Sequence, residues 1–539
     1  MSTILANHGS LSQTDNLNGD ANEPASNYCY LFPALAMAEA DKPANANAEY
    51  FNNLNRLARL MELERLDTSN SSTLPAIYTY FGQFVNHDLS APTATPRYFT
   101  AIGGAASRSQ FQSEIISAGV DVVALMSPER PPNPQWLVEN IINQHTDPLC
   151  LYSLYGKGPF NSGSEIKALY DLATMKFRLS RTYDDPEIDH PEELKTMAHE
   201  DVLRERGVVK IADQRNDGNL IICQLHLAFM LFHNRAIDVL RPYHQNNVEL
   251  FEATRALVTL HYQYCVLNDY LKHLVPDENA GSKLRNETIG AVPFEFTTAA
   301  FRFGHSMISP TYDYNQFFCE GGFSGGTASL GDMFNFTSRG KMAGSSGGPD
   351  HLPTHWVIDW NRFFRVTNIE GSGAEHIDLM LPENLASLGD LATVSKMDLG
   401  LGSIANRNLK RGYHRFMPSG QEIAATLGFP PLSQEEIVGA FTHHSAKAVL
   451  AETGFDNQTP LWVYFLCEAK HAGGNVLGPS AGAIVRGTIK EVLRHNKNSV
   501  LNANNGNWTP ESSLLQLENK VPIKTIKSFL QFAGVCLVK

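Results

Sequence analysis

The sequence predicts a mainly α-helical protein that folds as one large domain. Apolar residues recur at helical spacing along most of the chain, whereas the two-residue alternation of strands is almost absent. No internal repeat and no sharp change of composition divides the 539 residues, of which 43% are hydrophobic and 18% are charged. This composition is typical of a globular protein with a sizeable core. We therefore expect a single helical fold with few short strands.

The two ends of the chain differ from its middle. Residues 1–27 are rich in Asn, Ser, Gly and Asp and poor in apolar residues, which predicts a flexible N-terminal arm. Residues 28–500 are expected to form the main domain. Residues 501–539 are expected to be a C-terminal extension that packs on or near this domain.

Charge and cysteine content restrict the class of protein. The formal net charge is −13 and the basic residues are scattered, which argues against binding to nucleic acid. No stretch approaches the roughly 18 apolar residues of a transmembrane helix, and the first residues lack the basic and apolar regions of a secretory signal. The seven cysteines are odd in number, widely spaced and without a CxxC pair, as expected for reduced thiols. We expect a cytoplasmic protein.

Apolar periodicity also places the individual helices. Asp217 is the expected N-cap of the long helix at 219–241, Pro310 ends the helix at 295–308, and the Gly- and Ser-rich stretch at 320–350 predicts a mobile loop. The predicted helices are 50–66, 75–90, 219–241, 246–273, 295–308, 355–365, 387–401, 419–426, 434–450, 458–471 and 478–493.

The helix at 75–90 carries the first unusual polar residues. Ile77, Phe81 and Phe84 predict its buried face, and Gln83 and His87, four residues apart, project together from one side. Each polar group in an apolar interior needs a partner. A single buried histidine is most often satisfied by backbone groups, so His87 alone does not indicate a function.

Three later segments contain side chains of the same kind. His305 follows Gly304 in an apolar stretch, where the missing side chain would let a flat cofactor approach closely. Arg215 lies in a polar loop before the long helix, and Asn408 lies in a basic segment at 406–412. Taken singly, these features are also typical of a packed core helix, a capped helix start and a basic loop.

Taken together, these residues are the groups that peroxide chemistry at heme iron requires. One imidazole must bind the iron, and its other N–H needs a hydrogen-bond acceptor. A second imidazole must take the proton of hydrogen peroxide and return it to the leaving oxygen. A cation must stabilise the charge that develops as the O–O bond breaks.

The order of these segments resembles a known family. The chain is similar to the animal-type heme peroxidases of the peroxidase–cyclooxygenase superfamily, and more closely to their bacterial members, over roughly residues 28–500. The resemblance implies that this range is a heme peroxidase-like catalytic domain. It rests on residues 81–88 (FGQFVNHD), 215–219 (RNDGN), 224–226 (QLH), 233–235 (HNR), 300–305 (AFRFGH), 356–364 (WVIDWNRFF), 407–411 (RNLKR) and 418–421 (PSGQ).

The resemblance implies a role for each residue on the two sides of a heme. On the distal side, His87 is the acid–base residue, Gln83 is its neighbour over the heme, and Arg215 is the distal arginine. On the proximal side, His305 is the iron ligand.

Three further residues near the proximal ligand are implied by the same resemblance. Asn408 is the residue that accepts a hydrogen bond from the proximal imidazole. Arg302 and Arg411 are candidates to pair with the heme propionates, because a guanidinium fork suits a carboxylate.

Two departures from the family pattern concern covalent attachment and calcium. The positions that carry ester-forming acidic residues in the mammalian enzymes hold Asn86 and Gly218, with Asp217 a poor substitute one position early, so we expect non-covalently bound heme b. Asp88 matches a calcium ligand, and Thr146 of the family's calcium loop is present. Cys150 and Tyr152 occupy the other expected ligand positions, and they are poor ligands for a hard cation. Calcium is therefore not expected, and Asp88 is a possible remnant of that site.

The main hypothesis is a heme-dependent peroxidase that uses hydrogen peroxide to oxidise a small organic donor or a halide. The alternative is a heme fatty-acid dioxygenase that forms oxylipin hydroperoxides from a polyunsaturated fatty acid such as linoleate. Arg302 occupies the position of the cyclooxygenase radical tyrosine, so this alternative would need Tyr413, Tyr80 or Tyr262 instead. A heme-binding sensor or inert scaffold is a third possibility, and the oligomeric state stays open.

Overall fold

The computed structural model confirms the predicted fold class: the chain is mainly helical, with few short strands. The residues that it describes are 28–64, 72–94, 129–160, 163–185, 188, 194, 199–205, 208–282, 284, 291–337, 351–367, 369–382, 385 and 403–536. The predicted N-terminal arm at 1–27 and the predicted helix at 387–401 lie outside the described residues, as do 338–350 of the predicted loop.

Helices account for most of the described secondary structure. The longest are α7, α2 and α8, and six of the predicted helices (50–66, 75–90, 219–241, 419–426, 458–471 and 478–493) correspond to α2, α3, α7, α11, α14 and α15. The helices are α1 Pro33–Ala40, α2 Ala44–Leu63, α3 Ile77–Leu89, α4 Pro134–Asn140, α5 Tyr152–Tyr155, α6 Ser164–Lys167, α7 Leu220–Leu240, α8 Asn247–Cys265, α9 Leu271–Leu274, α10 Ile404–His414, α11 Gly420–Leu427, α12 Gln434–Gly439, α13 Ala446–Thr453, α14 Leu461–His471, α15 Pro479–His495, α16 Ala503–Gly506 and α17 Ile526–Ala533.

The strands form small antiparallel pairs: β1 with β2, β3 with β4, β5 with β6, β7 with β8, and β9 with β10. Each strand has only two or three residues, so these pairs fasten loops to the helical core and do not form a layer. The strands are β1 Pro92–Ala94, β2 Ile141–Asn143, β3 Tyr170–Asp171, β4 Lys176–Phe177, β5 Leu179–Arg181, β6 Glu200–Val202, β7 Arg204–Glu205, β8 Val208–Val209, β9 Thr311–Tyr312 and β10 Ala328–Ser329.

Helix α7 is the centre of the fold and packs against α3, α8 and α17. Phe84 of α3 stacks on Phe229 of α7, with ring centroids 4.2 Å apart. Phe529 of α17 stacks on Phe232 of α7 at 3.9 Å. Each of these buried rings contributes roughly 1.5–3 kcal/mol from burial alone. The stacking of Phe84 fixes α3, and with it the predicted distal residues, against the central helix α7.

Helix α7 is also the only described helix with the length and composition of a membrane span. Its apolar window belongs to the segment Leu220–Tyr243, and 83% of that window is buried inside the protein. The apolar surface of α7 is therefore covered by neighbouring elements, as in a core helix.

Several predicted helices differ from the observed structure. The helix expected at 295–308 is a π-helical turn, Phe296–Ala300, followed by a 3-10 turn, Phe303–His305. The prediction at 355–365 is replaced by two 3-10 turns, Thr354–Trp356 and Arg362–Phe364. Such turns have nearly the same spacing of apolar residues as an α-helix, so periodicity does not distinguish them.

Two other long predicted helices are interrupted. The helix expected at 434–450 is divided into α12 and α13, and the one expected at 246–273 contains a π-helical turn, Val266–Tyr270, between α8 and α9. The predicted N-cap of α7 is also wrong: Asn219, not Asp217, precedes the helix, and its side chain accepts a hydrogen bond from Ile222 N.

Candidate active site

The predicted distal histidine lies in the last turn of α3 and is held through its ring. His87 Nδ1 is 2.8 Å from Oδ1 of Asn216, which lies in the 3-10 turn Gln214–Asp217 just before α7. An amide oxygen can only accept, so Nδ1 of His87 carries the proton and Nε2 is the basic nitrogen. Among the described residues, Nε2 has no protein hydrogen-bond partner.

The predicted distal arginine holds the backbone of the same helix end. Arg215 Nη2 donates to the carbonyl oxygen of His87 at 2.8 Å, and Nη1 donates to that of Ser90 at 2.6 Å. The Nε and Nη2 groups also bind the carboxylate of Asp213, at 2.9 and 2.5 Å. A cation at the carbonyl end of a helix is electrostatically favourable. Arg215 is therefore anchored beside His87, and its N–H groups are shared between the end of α3 and Asp213.

Burial sets the protonation of this side of the site. Burial, and next the positive charge of Arg215, lowers the pKa of His87 to about 4. Burial alone would raise the pKa of the Asp213 carboxyl, but the Arg215 guanidinium lowers it below its ordinary value. At neutral pH, His87 is thus an uncharged base beside an ionised arginine–carboxylate pair.

Gln83 is joined to the start of α7. Its Oε1 accepts a hydrogen bond from Nδ2 of Asn219, at 3.2 Å, while Oδ1 of Asn219 caps α7. The side chains of Gln83 and His87 each keep some accessible surface, whereas Phe84 and Val85 between them are fully buried. The side of α3 that carries Gln83 and His87 is therefore partly open, whereas the rest of the helix is packed against its neighbours.

The predicted proximal histidine lies in a turn that begins where the π-helical turn ends. The backbone angles are φ −96°, ψ 10° at Phe301 and φ −98°, ψ 7° at Arg302. These two residues lead into the 3-10 turn that carries His305. A Cβ added to Gly304 would meet no atom within 4 Å. Open space thus lies directly beside His305, as the approach of a flat cofactor requires.

Asn408 of α10 contacts His305 as predicted, but with the opposite end of its amide. Its Nδ2 is 2.9 Å from Nδ1 of His305, and its Oδ1 accepts a hydrogen bond from Nη1 of Arg411 at 3.2 Å. Because an amide nitrogen can only donate, Asn408 does not accept from the imidazole in this arrangement. The reason is the neighbouring Arg411, which occupies the acceptor oxygen.

The predicted distal and proximal residues lie on segments that pack against each other. Helix α3 contacts the turn Phe303–His305, and the hydroxyl of Thr79 donates to the carbonyl of Met307 at 3.2 Å. Arg302 is held beside this turn, with its Nε donating to Thr297 O at 2.8 Å and its carbonyl accepting from the Trp462 indole at 3.2 Å.

These residues fit a heme. His305 would bind the iron through Nε2 in the space beside Gly304, which requires the Asn408 amide to turn so that Nδ1 of His305 carries the proton. Arg302 and Arg411 supply cations for propionates, and His87 provides a base on α3.

The structure gives no support for calcium at Asp88. This side chain is fully buried, and its oxygens accept hydrogen bonds from Leu151 N at 2.9 Å, Ser153 N at 3.1 Å and Ser153 Oγ at 3.1 Å. Positive φ angles at Leu149 and Leu151, 63° and 57°, turn the loop toward the carboxylate. Burial raises the pKa of the Asp88 carboxyl, whereas the neighbouring His145 and then the three donors oppose that rise. Hydrogen-bond donors thus surround Asp88, where a cation would need oxygen ligands.

The other residues at the positions of the family's calcium loop face elsewhere. Thr146 is exposed and donates to Asp147, at 3.4 Å. Cys150 Sγ accepts a hydrogen bond from Asn496 Nδ2, and the Tyr152 ring packs on His145. In the described part of the chain, no three His, Cys, Asp or Glu side chains are grouped as a metal site.

Asp217, the possible substitute for an ester-forming residue, is buried near Cys223 and Arg204. Burial, and next the charge of Asp217, raises the pKa of the Cys223 thiol. Asp217 is only 2% exposed. Asp217 thus closes the turn that carries Arg215, and its carboxylate is buried beside the Cys223 thiol.

The family follows from sequence comparison. The sequence model of the animal haem peroxidase family matches residues 41–347, more than half of the chain and a range that includes His87, Arg215 and His305. The chain belongs to this family. No curated protein sequence matches it significantly.

Solved structures with the same fold include a peroxidase and two dioxygenases. Peroxidase A from Dictyostelium discoideum is 15% identical, with a TM-score of 0.56 over 89% of this chain and 90% of its own. The fatty acid alpha-dioxygenase of Oryza sativa is 12% identical, with a TM-score of 0.52 over 87% of this chain and 74% of its own. The fatty acid alpha-dioxygenase of Arabidopsis thaliana is 13% identical, with a TM-score of 0.50 over 88% and 72%. At these identities the likeness shows the fold alone.

Sequence reasoning missed four side chains that position the distal residues. Each makes a side-chain hydrogen bond: Asp213 to Arg215, Asn216 to His87, His226 to Asn216, and Asn219 to Gln83. Asp213, Asn216 and Asn219 stand in the polar segment at 213–219, and His226 follows on the buried face of α7. The density of Asn and Asp in that segment was a signal of capping, but nothing in the sequence indicates which helix these side chains reach.

Proposed function

We propose that this protein is a heme-dependent peroxidase that reduces hydrogen peroxide to water while it oxidises a small organic or halide donor. The observation that supports this function best is the state of His87: its Nδ1 is held by Asn216, and its Nε2 is left as an uncharged base beside Arg215. Heme b held by His305 would supply the iron that binds and reduces the peroxide.

The protein side chains would manage the proton. His87 Nε2 takes the proton from the peroxide oxygen and returns it to the departing oxygen, which leaves as water. The cation of Arg215, fixed by Asp213, stabilises negative charge on that oxygen as the O–O bond breaks. Because the pKa of His87 is about 4, this base stays competent down to mildly acidic pH.

The test compares three histidine variants of the heme-loaded full-length chain. His87→Ala should keep its heme but react with hydrogen peroxide roughly 10²–10⁴ times more slowly. His305→Ala should lose stoichiometric heme binding and the normal Soret band. His444→Ala is the matched control, because His444 is exposed, and it should behave as wild type. Unchanged peroxide reactivity in His87→Ala would exclude this mechanism.

The second candidate is a fatty-acid dioxygenase, because two fatty acid alpha-dioxygenases share this fold with the peroxidase. Arg302 stands three residues before His305, and its Nε is bonded to Thr297 O, so a radical tyrosine is absent from that position. Tyr80, Tyr262 and Tyr413 are nearly fully buried and are the tyrosines that such a reaction would have to use.

An oxygen electrode separates the two candidates. Linoleate is added to the heme-loaded protein with a trace of peroxide and no reductant. Rapid, sustained oxygen uptake would favour the dioxygenase. No uptake, together with fast donor oxidation by hydrogen peroxide, is the result that we expect.

A further inference from the structure

We propose that Asn216 is a positioning residue that holds His87 in the Nδ1–H tautomer, and that His226 holds the Asn216 amide in the orientation this requires. The inference rests on the proposed function, in which His87 Nε2 is the base. It concerns a pair of side chains that touch neither peroxide nor heme and act only through His87.

The evidence is a continuous buried chain of three side chains. His87 Nδ1 is 2.8 Å from Oδ1 of Asn216, and Nδ2 of Asn216 is 3.0 Å from Nδ1 of His226. Asn216 is 0% exposed and His226 is 1% exposed. Both side chains are thus almost closed to bulk water, and the amide of Asn216 has its partners in the two imidazoles.

An amide between two imidazoles links their tautomers. Its oxygen only accepts and its nitrogen only donates, so Nδ1 of His87 must be protonated while Nδ1 of His226 must not. Rotating the amide by half a turn would reverse both assignments. His87 would then carry its proton on Nε2 and could no longer accept one from peroxide.

The same turn holds His87 at two points. Arg215 donates to the backbone carbonyl of His87 at 2.8 Å, and the next residue, Asn216, accepts from its ring. Fixing both the carbonyl and the imidazole leaves the ring little freedom to rotate about its side-chain bonds. The Gln214–Asp217 turn therefore sets both where the base lies and which of its nitrogens is basic.

The test measures the tautomer directly. In the full-length protein labelled with 15N-histidine, heme-free and in the diamagnetic ferrous carbon monoxide form, the His87 signals should show a protonated Nδ1 and an unprotonated Nε2. Asn216→Leu removes both polar ends at similar volume and should shift His87 toward the Nε2–H tautomer. Asn216→Asp keeps an acceptor for His87 and should keep the Nδ1–H tautomer.

A matched control is Asn234→Ala. Asn234 is another α7-region amide that bonds both Phe177 N and Phe177 O, so its loss should lower stability without changing the His87 signals. In the heme-loaded protein, Asn216→Leu should slow the peroxide reaction at least tenfold, and Asn216→Asp should restore most of the rate.

The outcomes separate this inference from the proposed function. An Nε2–H tautomer in the wild type, or an unchanged Nδ1–H tautomer in Asn216→Leu, would overturn the role of Asn216. If the tautomers respond as expected but His87→Ala leaves the peroxide rate unchanged, the positioning by Asn216 stands and the peroxidase function fails.

Discussion

Replacing Asp88 by asparagine should destabilise the protein to the same extent with and without calcium. The wild-type carboxylate accepts three hydrogen bonds, one from Leu151 and two from Ser153, in a fully buried position. These donors would be poorly placed for a cation, which binds oxygen ligands. The prediction therefore treats Asp88 as a structural clamp on the loop after β2.

The magnitude follows from the three contacts. An amide has one oxygen, so Asp88→Asn can keep at most the two donors of Ser153, while its own NH₂ group faces Leu151 N. Leaving one buried donor unpaired costs about 1–3 kcal/mol, and weakening two charge-assisted hydrogen bonds to neutral ones costs about 1 kcal/mol each. The free energy of unfolding should fall by about 3–5 kcal/mol.

The assay is urea unfolding followed by circular dichroism at neutral pH, with a chelator or with added calcium chloride. Hydrogen exchange at the amides of Leu151 and Ser153 should become faster in Asp88→Asn. The control, Asp171→Asn, also removes a carboxylate that accepts two hydrogen bonds, from Ala173 N and Thr174 Oγ1. Asp171 is exposed, so water replaces the lost bonds and the effect should be much smaller.

Two results would refute this reasoning. One is an unfolding free energy of Asp88→Asn equal to that of the wild type. The other is calcium that stabilises the wild type, but not Asp88→Asn, since only a ligand bound at this site would act that way.

Three further predictions concern the arginine, the buried histidines and the cofactor. Arg215→Gln should lower the melting temperature, because Arg215 holds the end of α3, and it should slow the peroxide reaction by roughly 10²-fold, because the cation is lost. Thermal unfolding measures the first effect and stopped-flow kinetics the second. If neither quantity changes, the prediction is wrong. Burial lowers the pKa values of His226, His233 and His261 to about 4 from 6.5. Between pH 6.5 and pH 4 the unfolded state therefore binds more protons than the folded state. Each should cost roughly 3 kcal/mol of stability at pH 4; urea midpoints across that range test it, and a pH-independent midpoint would oppose it. Acidified acetone should extract all the heme, and heme that stays on the polypeptide would contradict non-covalent binding.

The sequence by itself determined the fold class and the family. Helical periodicity placed α2, α3, α7, α11, α14 and α15, because each buries a continuous apolar face that repeats every three to four residues. The order of short motifs identified the family without any knowledge of contacts. Where local spacing is ambiguous the predictions were wrong: the segment at 295–308 satisfies an α-helical pattern but forms π- and 3-10 turns.

Local sequence patterns could not show which donor and acceptor atoms of distant side chains form hydrogen bonds with each other. Asp88 matched a calcium ligand, yet the structure surrounds it with amide and hydroxyl donors from residues 63 and 65 positions away. Asn408 was predicted to accept from His305, yet Arg411 occupies its oxygen. Residue type restricts the possible partners, but which partner is within reach depends on the packing of separate helices.

The arrangement of the distal residues was decided only by the tertiary structure. Asn216 meets His87 across 129 residues of sequence, because the stacking of Phe84 on Phe229 brings the end of α3 against the turn before α7. The periodicity of one helix contains no information about the side chains that another helix presents to it. The sequence thus determined which acid–base and cationic groups the protein has, and the packing of α3 on α7 decided how they are oriented.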